Sequence, residues 1–343
     1  MDLIHIRRRR LRQVAGYTLL GAVIGMIYGM VMSSIMDGHI ALNSAFRGIY
    51  TGTVIAGLIS TFELLVVERP GGGLRRLSFL KLLTIKELTY TAIILVGDWS
   101  GSQLFADTAS PGFGFNRMTV ITYIFSISAT LFIVFIIEMS TLLGPGVLGD
   151  IMRGRYHTPR QEQRLLVFLD MRRSTAIAEQ IGDLAFHRLL NRFFTDLTEA
   201  VLAWDGIVHK YVGDEMIVTW PLDNGKNPAG AYAAVVAARQ RFAQLGERYR
   251  AEFGVTPDFR AILHAGPVVA GEMGEVKREI VLLGDTVNTT AKIEQVSKAL
   301  PDPIVISAEA LAAVALPAGM ASRPLGNFTL PGKTASVDLY SLA

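Results

Sequence analysis

The chain of 343 residues contains no cysteine. That absence excludes a disulfide framework, a thiolate metal site and a cysteine nucleophile. No G-x-S-x-G elbow and no Ser/His/Asp order is present, so a serine-hydrolase reading has no support. The histidines have no metal-ligand spacing; His209 and His264 read as packing residues. There are no internal repeats and no low-complexity tracts. Basic residues sit mostly beside apolar runs and form no soluble stripe, which argues against a nucleic acid polymer as partner. The glycines of Pro70–Arg76 follow no suitable strand and read as a loop, not a phosphate cradle.

Long apolar runs are what the first half does have. Val14–Met36, Phe46–Val67, Leu80–Val96 and Thr119–Leu143 stand out, and a helix needs ~20 mainly apolar residues to cross a bilayer core. The third is the weakest, with Lys81, Lys86 and Glu87 within or beside it; lysines there reach an interface or the bundle interior. Arg7–Arg10 and Arg12 precede the first run, Arg69, Arg75, Arg76 and Lys81 lie between the second and third, and Arg153, Arg155, Arg160 and Arg164 follow the fourth. Positive charge thus alternates in step with four crossings and puts both termini in the cytoplasm of a multi-pass cell-membrane protein facing membrane lipid. A cleaved signal peptide is the alternative for residues 1–36, but no small-residue cleavage site follows and further apolar runs do. Glu63, Glu87 and Glu138 fall at membrane depth, where ionisable groups either serve function or hold a bundle together. Nothing suggests the paired broken helices of a transporter. The membrane half anchors the rest or senses an unknown ligand.

Residues 1–143 therefore form a membrane domain, 144–163 a polar connector broken by Gly144-Pro145-Gly146, and 164–343 a soluble α+β domain. In the last, Leu165–Asp170 reads as a buried strand, Ser174–Gln180 and Leu184–Trp204 as helices, and Ile207–Val212 with Glu215–Trp220 as a hairpin. Ala231–Phe253 is helical, and the segments on either side of Gly266-Pro267 are expected to pair as two strands. Ile280–Lys298 reads as strand, break and helix. Pro303–Ser307, a helix near Ala308–Val314 and strands at Asn327–Leu330 and Ser336–Tyr340 follow. This order predicts a sheet with helices on one face.

Asp170 ends an apolar strand and Asp214 tips the hairpin. On adjacent strands both carboxylates reach one sheet edge, and such a pair without histidine or cysteine suits Mg²⁺ or Mn²⁺ completed by phosphate oxygens and water. Two such ions activate a hydroxyl and steady a leaving phosphate. The helix opening at Ser174 and Thr175 offers free N–H groups to a polyphosphate. Lys210, inside a strand four residues before Asp214, has no folding explanation.

"FLDMRRST", "KYVGDEM", "HAGPVVAGEMG" and "LLGDTVNTTAKIE" resemble the successive motifs of the class III nucleotidyl cyclase catalytic domain, over about residues 160–343. The resemblance implies a ferredoxin-like core, a homodimer with sites built across its interface, ATP as substrate and two Mg²⁺ or Mn²⁺ per site. By that pattern Asp170 and Asp214 hold metal, with the Met171 carbonyl as a further ligand. Lys210 reads the purine and points to ATP, Asn288 orients the ribose, and Lys292 stands where an arginine usually stabilises the transition state. Lys333 falls near a lysine that contacts terminal phosphates. Lys210 and Asp214 of one chain would serve different sites. Val281 replaces a residue that bonds the adenine amino group, which leaves guanylate or dual specificity as an alternative. A non-catalytic receptor with a degenerate module is a further one. Arg173 stands where glycine is frequent, and either reaches the triphosphate or is solvated.

Overall fold

A computed structural model of the chain describes residues 3–39, 42–67, 74, 77–105, 117–143, 149–150, 153–222, 229–276, 278–314, 316, 322–334 and 336–342. The expected break at Gly144-Pro145-Gly146 and most of the Pro70–Arg76 loop lie outside these. The chain divides into two compact units, Met1–Leu142 and Leu143–Ala343.

The described residues of the first unit form four long helices: α1 (Leu3–Asp37), α2 (Leu42–Phe62, continued by a π-helical turn Glu63–Val67), α3 (Phe79–Leu104) and α4 (Arg117–Leu143). Among the described residues two stretches, Val14–Ile35 and Leu42–Val67, are long and apolar enough to cross a membrane. The weaker third run keeps Lys86 almost fully buried, where its ammonium pairs with Glu63 of the π turn and Glu138 of α4. The Tyr90 hydroxyl donates to the other Glu63 oxygen. Arg47 and Tyr123 meet at Asp98, at 3.2 and 2.7 Å. Small residues explain the closeness of α1 and α2. A Cβ added to Gly25 would lie 2.1 Å from the Gly48 carbonyl oxygen, and one on Gly48 would lie 2.0 Å from the Gly25 oxygen. Gly21, Gly25 and Gly29 face Gly52, Gly48 and Ser44 in turn, at a spacing of four, which lets two helix backbones touch.

The second unit is a mixed sheet with helices. Its elements are β1 (Arg160–Met171), α5 (Ser174–Ile181), α6 (Asp183–Ala203), β2 (Ile207–Val212), β3 (Glu215–Pro221), α7 (Ala229–Phe253), β4 (Phe259–Met273), β5 (Glu279–Leu283), α8 (Asp285–Ser297), β6 (Ile304–Ser307), α9 (Ala308–Ala313), β7 (Ser322–Thr329) and β8 (Ser336–Leu342). The strand order is β2-β3-β1-β4-β6-β8-β7, with β5 on the outer half of β4. The run β1-α6-β2-β3-α7-β4 with antiparallel order β4-β1-β3-β2 is the ferredoxin-like core that the motifs imply.

Three expectations need correction. Helices cover both faces of the sheet. Leu165, Val167 and Leu169 of β1 pack with Leu189 and Phe193 of α6 and Tyr232 of α7, while Leu166 and Phe168 face Ile293 of α8. A strand that is apolar at every position is buried on both sides, and β1 obeys that rule. Next, Gly266-Pro267 does not separate two paired strands: β4 runs through it for 15 residues. The Pro267 carbonyl accepts from the Thr286 hydroxyl at 2.6 Å, so its backbone edge faces away from β1, where the missing N–H breaks no ladder bond. Finally, β1 starts at Arg160, inside the expected connector, because Arg160–Arg164 pair with Gly266–Ala270 through backbone bonds that need no apolar side chains. Arg164 is correspondingly buried, bound to Glu162, Thr219 and Tyr156.

Candidate functional site

The β1–β3 ladder sets Asp170 opposite Glu215, one residue beyond the hairpin tip. The tip is a tight turn at Gly213, whose φ of 61° is in the left-handed region that favours glycine. The Met171 N–H donates to the Asp214 carbonyl at 3.3 Å, tying the end of β1 to that turn. On the other flank β4 sets Arg260 opposite Asp170. Alternation along β1 keeps the Met171 side chain in the α6/α7 core and turns Asp170 to the α8 face.

Asp170, Asp214, Glu215 and Glu294 crowd this edge. Burial first, and then the charge of Asp214, push the Asp170 carboxyl up to about 6. Burial raises Glu215 further, helped by its side-chain hydrogen bond to Glu294 and by that neighbour's charge. The opposing cations are Lys298 and Arg260. Lys298 Nζ lies 2.8 Å from Glu294 Oε1 and 4.0 Å from Asp170 Oδ2. Arg260 is buried, gives one hydrogen bond to the Leu300 carbonyl at 3.1 Å and leaves its Nε without a partner.

A cleft of about 230 Å³ opens beside the edge. Leu166, Phe168 and Ile217 form its floor; His209, Lys210 and Glu215 line one wall; Leu282, Asn288 and Glu294 line the other. Lys210 and Asn288 are thus brought together within one chain. Val281, on β5, pairs with Gly271 of β4 and is not among the residues lining this cleft, whereas its neighbour Leu282 is. Lys292 shares a helix face with Asn288 but reaches toward the β7–β8 turn, where a Cβ added to Gly332 would lie 3.5 Å from its Nζ. Lys333, in that turn, is bound 2.7 Å from Asp285 Oδ2 and also to the Thr289 hydroxyl. Ser174 and Thr175 open α5 as expected, and Arg173 caps it at φ 57° with no side-chain capping bond. The frequent glycine at that position suits this left-handed backbone.

Arg260, Glu215, Glu294 and Lys298 were not singled out from the sequence. A lone charge inside the apolar strand "FRAILHAG" was the available signal for Arg260, and Glu215 directly follows Asp214. Glu294 and Lys298 follow Asn288 at helical spacing but resemble an ordinary solvated i, i+4 pair. Among the described residues no three His, Cys, Asp or Glu side chains are arranged to hold a metal. The carboxylate pair would leave most positions on a cation to water and phosphate oxygens, which is how Mg²⁺ is commonly held.

Comparison with known proteins gives consistent results. The sequence model described as the adenylate and guanylate cyclase catalytic domain matches residues 157–343. Adenylate cyclase 2 of Rhizobium meliloti (strain 1021) is 34% identical over 210 residues, 61% of this chain and 58% of that protein. Adenylate cyclase 1 of the same organism is 28% identical over 189 residues, 53% of this chain and 28% of its own length. The chain therefore spans little more than half of the first relative and about a quarter of the second. A bacterial light-regulated adenylyl cyclase structure shares the fold, with a TM-score of 0.55 at 20% identity over 66% of each chain.

Proposed function

Because the chain belongs to the adenylate and guanylate cyclase catalytic-domain family, we propose that it is a membrane-bound adenylate cyclase. It converts ATP to 3′,5′-cyclic AMP and pyrophosphate at sites completed between two copies of the chain. The observation that carries this reading is the meeting of Asp170 with the Asp214 turn, beside a cleft lined by Lys210 and Asn288. The Rhizobium meliloti relatives, both named adenylate cyclases, support the choice of reaction.

The donor set fits Mg²⁺ or Mn²⁺, two per site. Asp170, Asp214 and the Met171 carbonyl would hold the ions, and the burial and Asp214 charge that raise the Asp170 carboxyl are penalties that a divalent cation offsets. When bound, such ions lower the pKa of a hydroxyl and neutralise phosphate charge. The chain's own residues orient the nucleotide for an in-line displacement. The ribose 3′-oxygen bonds to the α-phosphorus, the bond from that phosphorus to the bridging oxygen breaks, the hydroxyl proton passes to water, and pyrophosphate leaves. Asn288 orients the ribose, Lys210 reads the purine, and Lys292 stabilises the developing phosphate charge as a point charge in place of a bidentate guanidinium. Arg260 joins this set, since its guanidinium charge lies opposite Asp170 and complements a phosphate held there. Lys333 and the N–H groups at Ser174 and Thr175 contact the β- and γ-phosphates, the lysine after leaving Asp285.

Asp170→Asn and Asp214→Asn should each lower Mn²⁺-dependent ATP turnover of the purified full chain at least ~100-fold, with melting temperature unchanged. Full activity in either refutes the metal assignment. Val281 has no group to bond the adenine amino group, so guanylate or dual specificity is the second reading. Turnover of ATP and GTP measured side by side decides it, with ATP expected to dominate. A degenerate, non-catalytic module would accumulate no cyclic nucleotide in expressing cells.

For the first unit the same reading holds four crossings with both termini cytoplasmic. Support comes from the two apolar stretches, the glycine contact between α1 and α2, and the pairing of Lys86 within its unit. The cysteine-free chain makes the test direct. His39→Cys should react with an impermeant thiol reagent from outside intact cells and Ser78→Cys only after lysis; the reverse pattern rejects the topology.

A further inference from the structure

Lys298 is an ammonium beside the two aspartates that the reaction as written does not use. It follows directly on α8, whose last turn places it where a basic residue complements the helix dipole. Its partners come from different elements: Glu294 on α8 at 2.8 Å and Asp170 on β1 at 4.0 Å. The hydrogen bond to Glu294, together with the charges of Asp170 and Asp214, holds its pKa above the ordinary lysine value. The other cation facing these acids, Arg260, is buried and anchored to the Leu300 carbonyl. Lys298 differs in both respects. Its side chain is 56% exposed, and its flexible stem can withdraw without leaving a buried charge unpaired.

We propose that Lys298 is the displaceable counter-ion of the Asp170–Asp214 pair. In the metal-free chain its ammonium screens these carboxylates, and it retreats onto Glu294 when a divalent cation takes their oxygens. Lys298 therefore competes with the metal and sets how tightly the empty site takes it up. The inference rests on the reading of Asp170 and Asp214 as metal ligands. It adds a positioning residue that acts on metal affinity instead of touching the nucleotide.

The test is Mn²⁺ binding to the full chain in detergent without nucleotide, followed by electron paramagnetic resonance of the free ion. Lys298→Gln should bind Mn²⁺ about fivefold tighter than the unmodified chain, the scale of one partly screened charge at this distance. Lys298→Arg, which keeps the charge, should fall between the two. Arg323→Gln removes a comparably exposed cation whose partner is Asp302 instead of one of these carboxylates, and should leave the affinity unchanged. Equal or weaker binding by Lys298→Gln overturns the proposal, as does equal tightening by Arg323→Gln, which would mark a general effect of net charge. Asp170→Asn keeps the two readings apart. If it binds Mn²⁺ as the unmodified chain does, the metal assignment itself fails, whatever Lys298 does.

Discussion

His209 sits beside Lys210 on the wall of the cleft, and burial, with the Lys210 and Arg164 charges behind it, pushes its pKa down to about 4. The folded state therefore binds this proton less readily than the unfolded chain. Stability from the neutral imidazole is present above the usual histidine pKa and is lost as pH falls from about 6.5 toward 4. His209→Gln should flatten the fall in melting temperature across that window; an unchanged slope would show that the neutral ring contributes nothing. Arg260 permits a sharper test. Arg260→Ala should lower kcat/KM for ATP at least ~100-fold, and Arg260→Lys should recover only part of it, since a point charge lacks the guanidinium fork. Wild-type turnover in the alanine variant would remove Arg260 from the site. At this scale Asp170 and Asp214 were legible, because a carboxylate that ends an apolar strand or tips a hairpin stands out against its neighbours.

Elements carry their own tests. Asp196 of α6, 2% exposed, receives Arg192 from its own helix and Arg241 and Tyr249 from α7. Removing it leaves the buried Tyr249 hydroxyl without its acceptor and takes a partner from both arginines, so Asp196→Ala should cost about 3–5 kcal/mol in a denaturant titration. A loss below ~1 kcal/mol would mean that water replaces the carboxylate. In the first unit, Gly25→Leu inserts a side chain where the Gly48 carbonyl lies 2.1 Å from a Cβ. It should destabilise the α1–α2 pair by at least ~1–3 kcal/mol in an SDS unfolding titration; no effect would contradict the close helix contact. The hairpin and the helices of the second unit were legible from period and turn chemistry. The continuity of β4 through Gly266-Pro267 was not, because proline marks an interruption unless its bare nitrogen faces a gap in the ladder. α8 on the second face was also hidden, since its apolar stripe is short and interrupted by threonines.

For the whole molecule, the chain divides between Leu142 and Leu143, where long apolar runs give way to an ordinary α/β composition. What sequence could not reveal is how a polar edge of four carboxylates balances against Lys298 and Arg260, because those groups meet only when β1, β3, β4 and α8 converge. The central claim is that a working site draws its metal ligands from one chain and its base-reading lysine from another. Mixing Asp214→Ala chains with Lys210→Ala chains tests it most directly, with ATP turnover as the readout and affinity tags to isolate the mixed dimers. Each variant alone should be nearly inactive. Random pairing should restore about a quarter of the unmodified activity, because half the dimers are mixed and each keeps one intact site. Purified mixed dimers that stay as inactive as the parents would contradict the account.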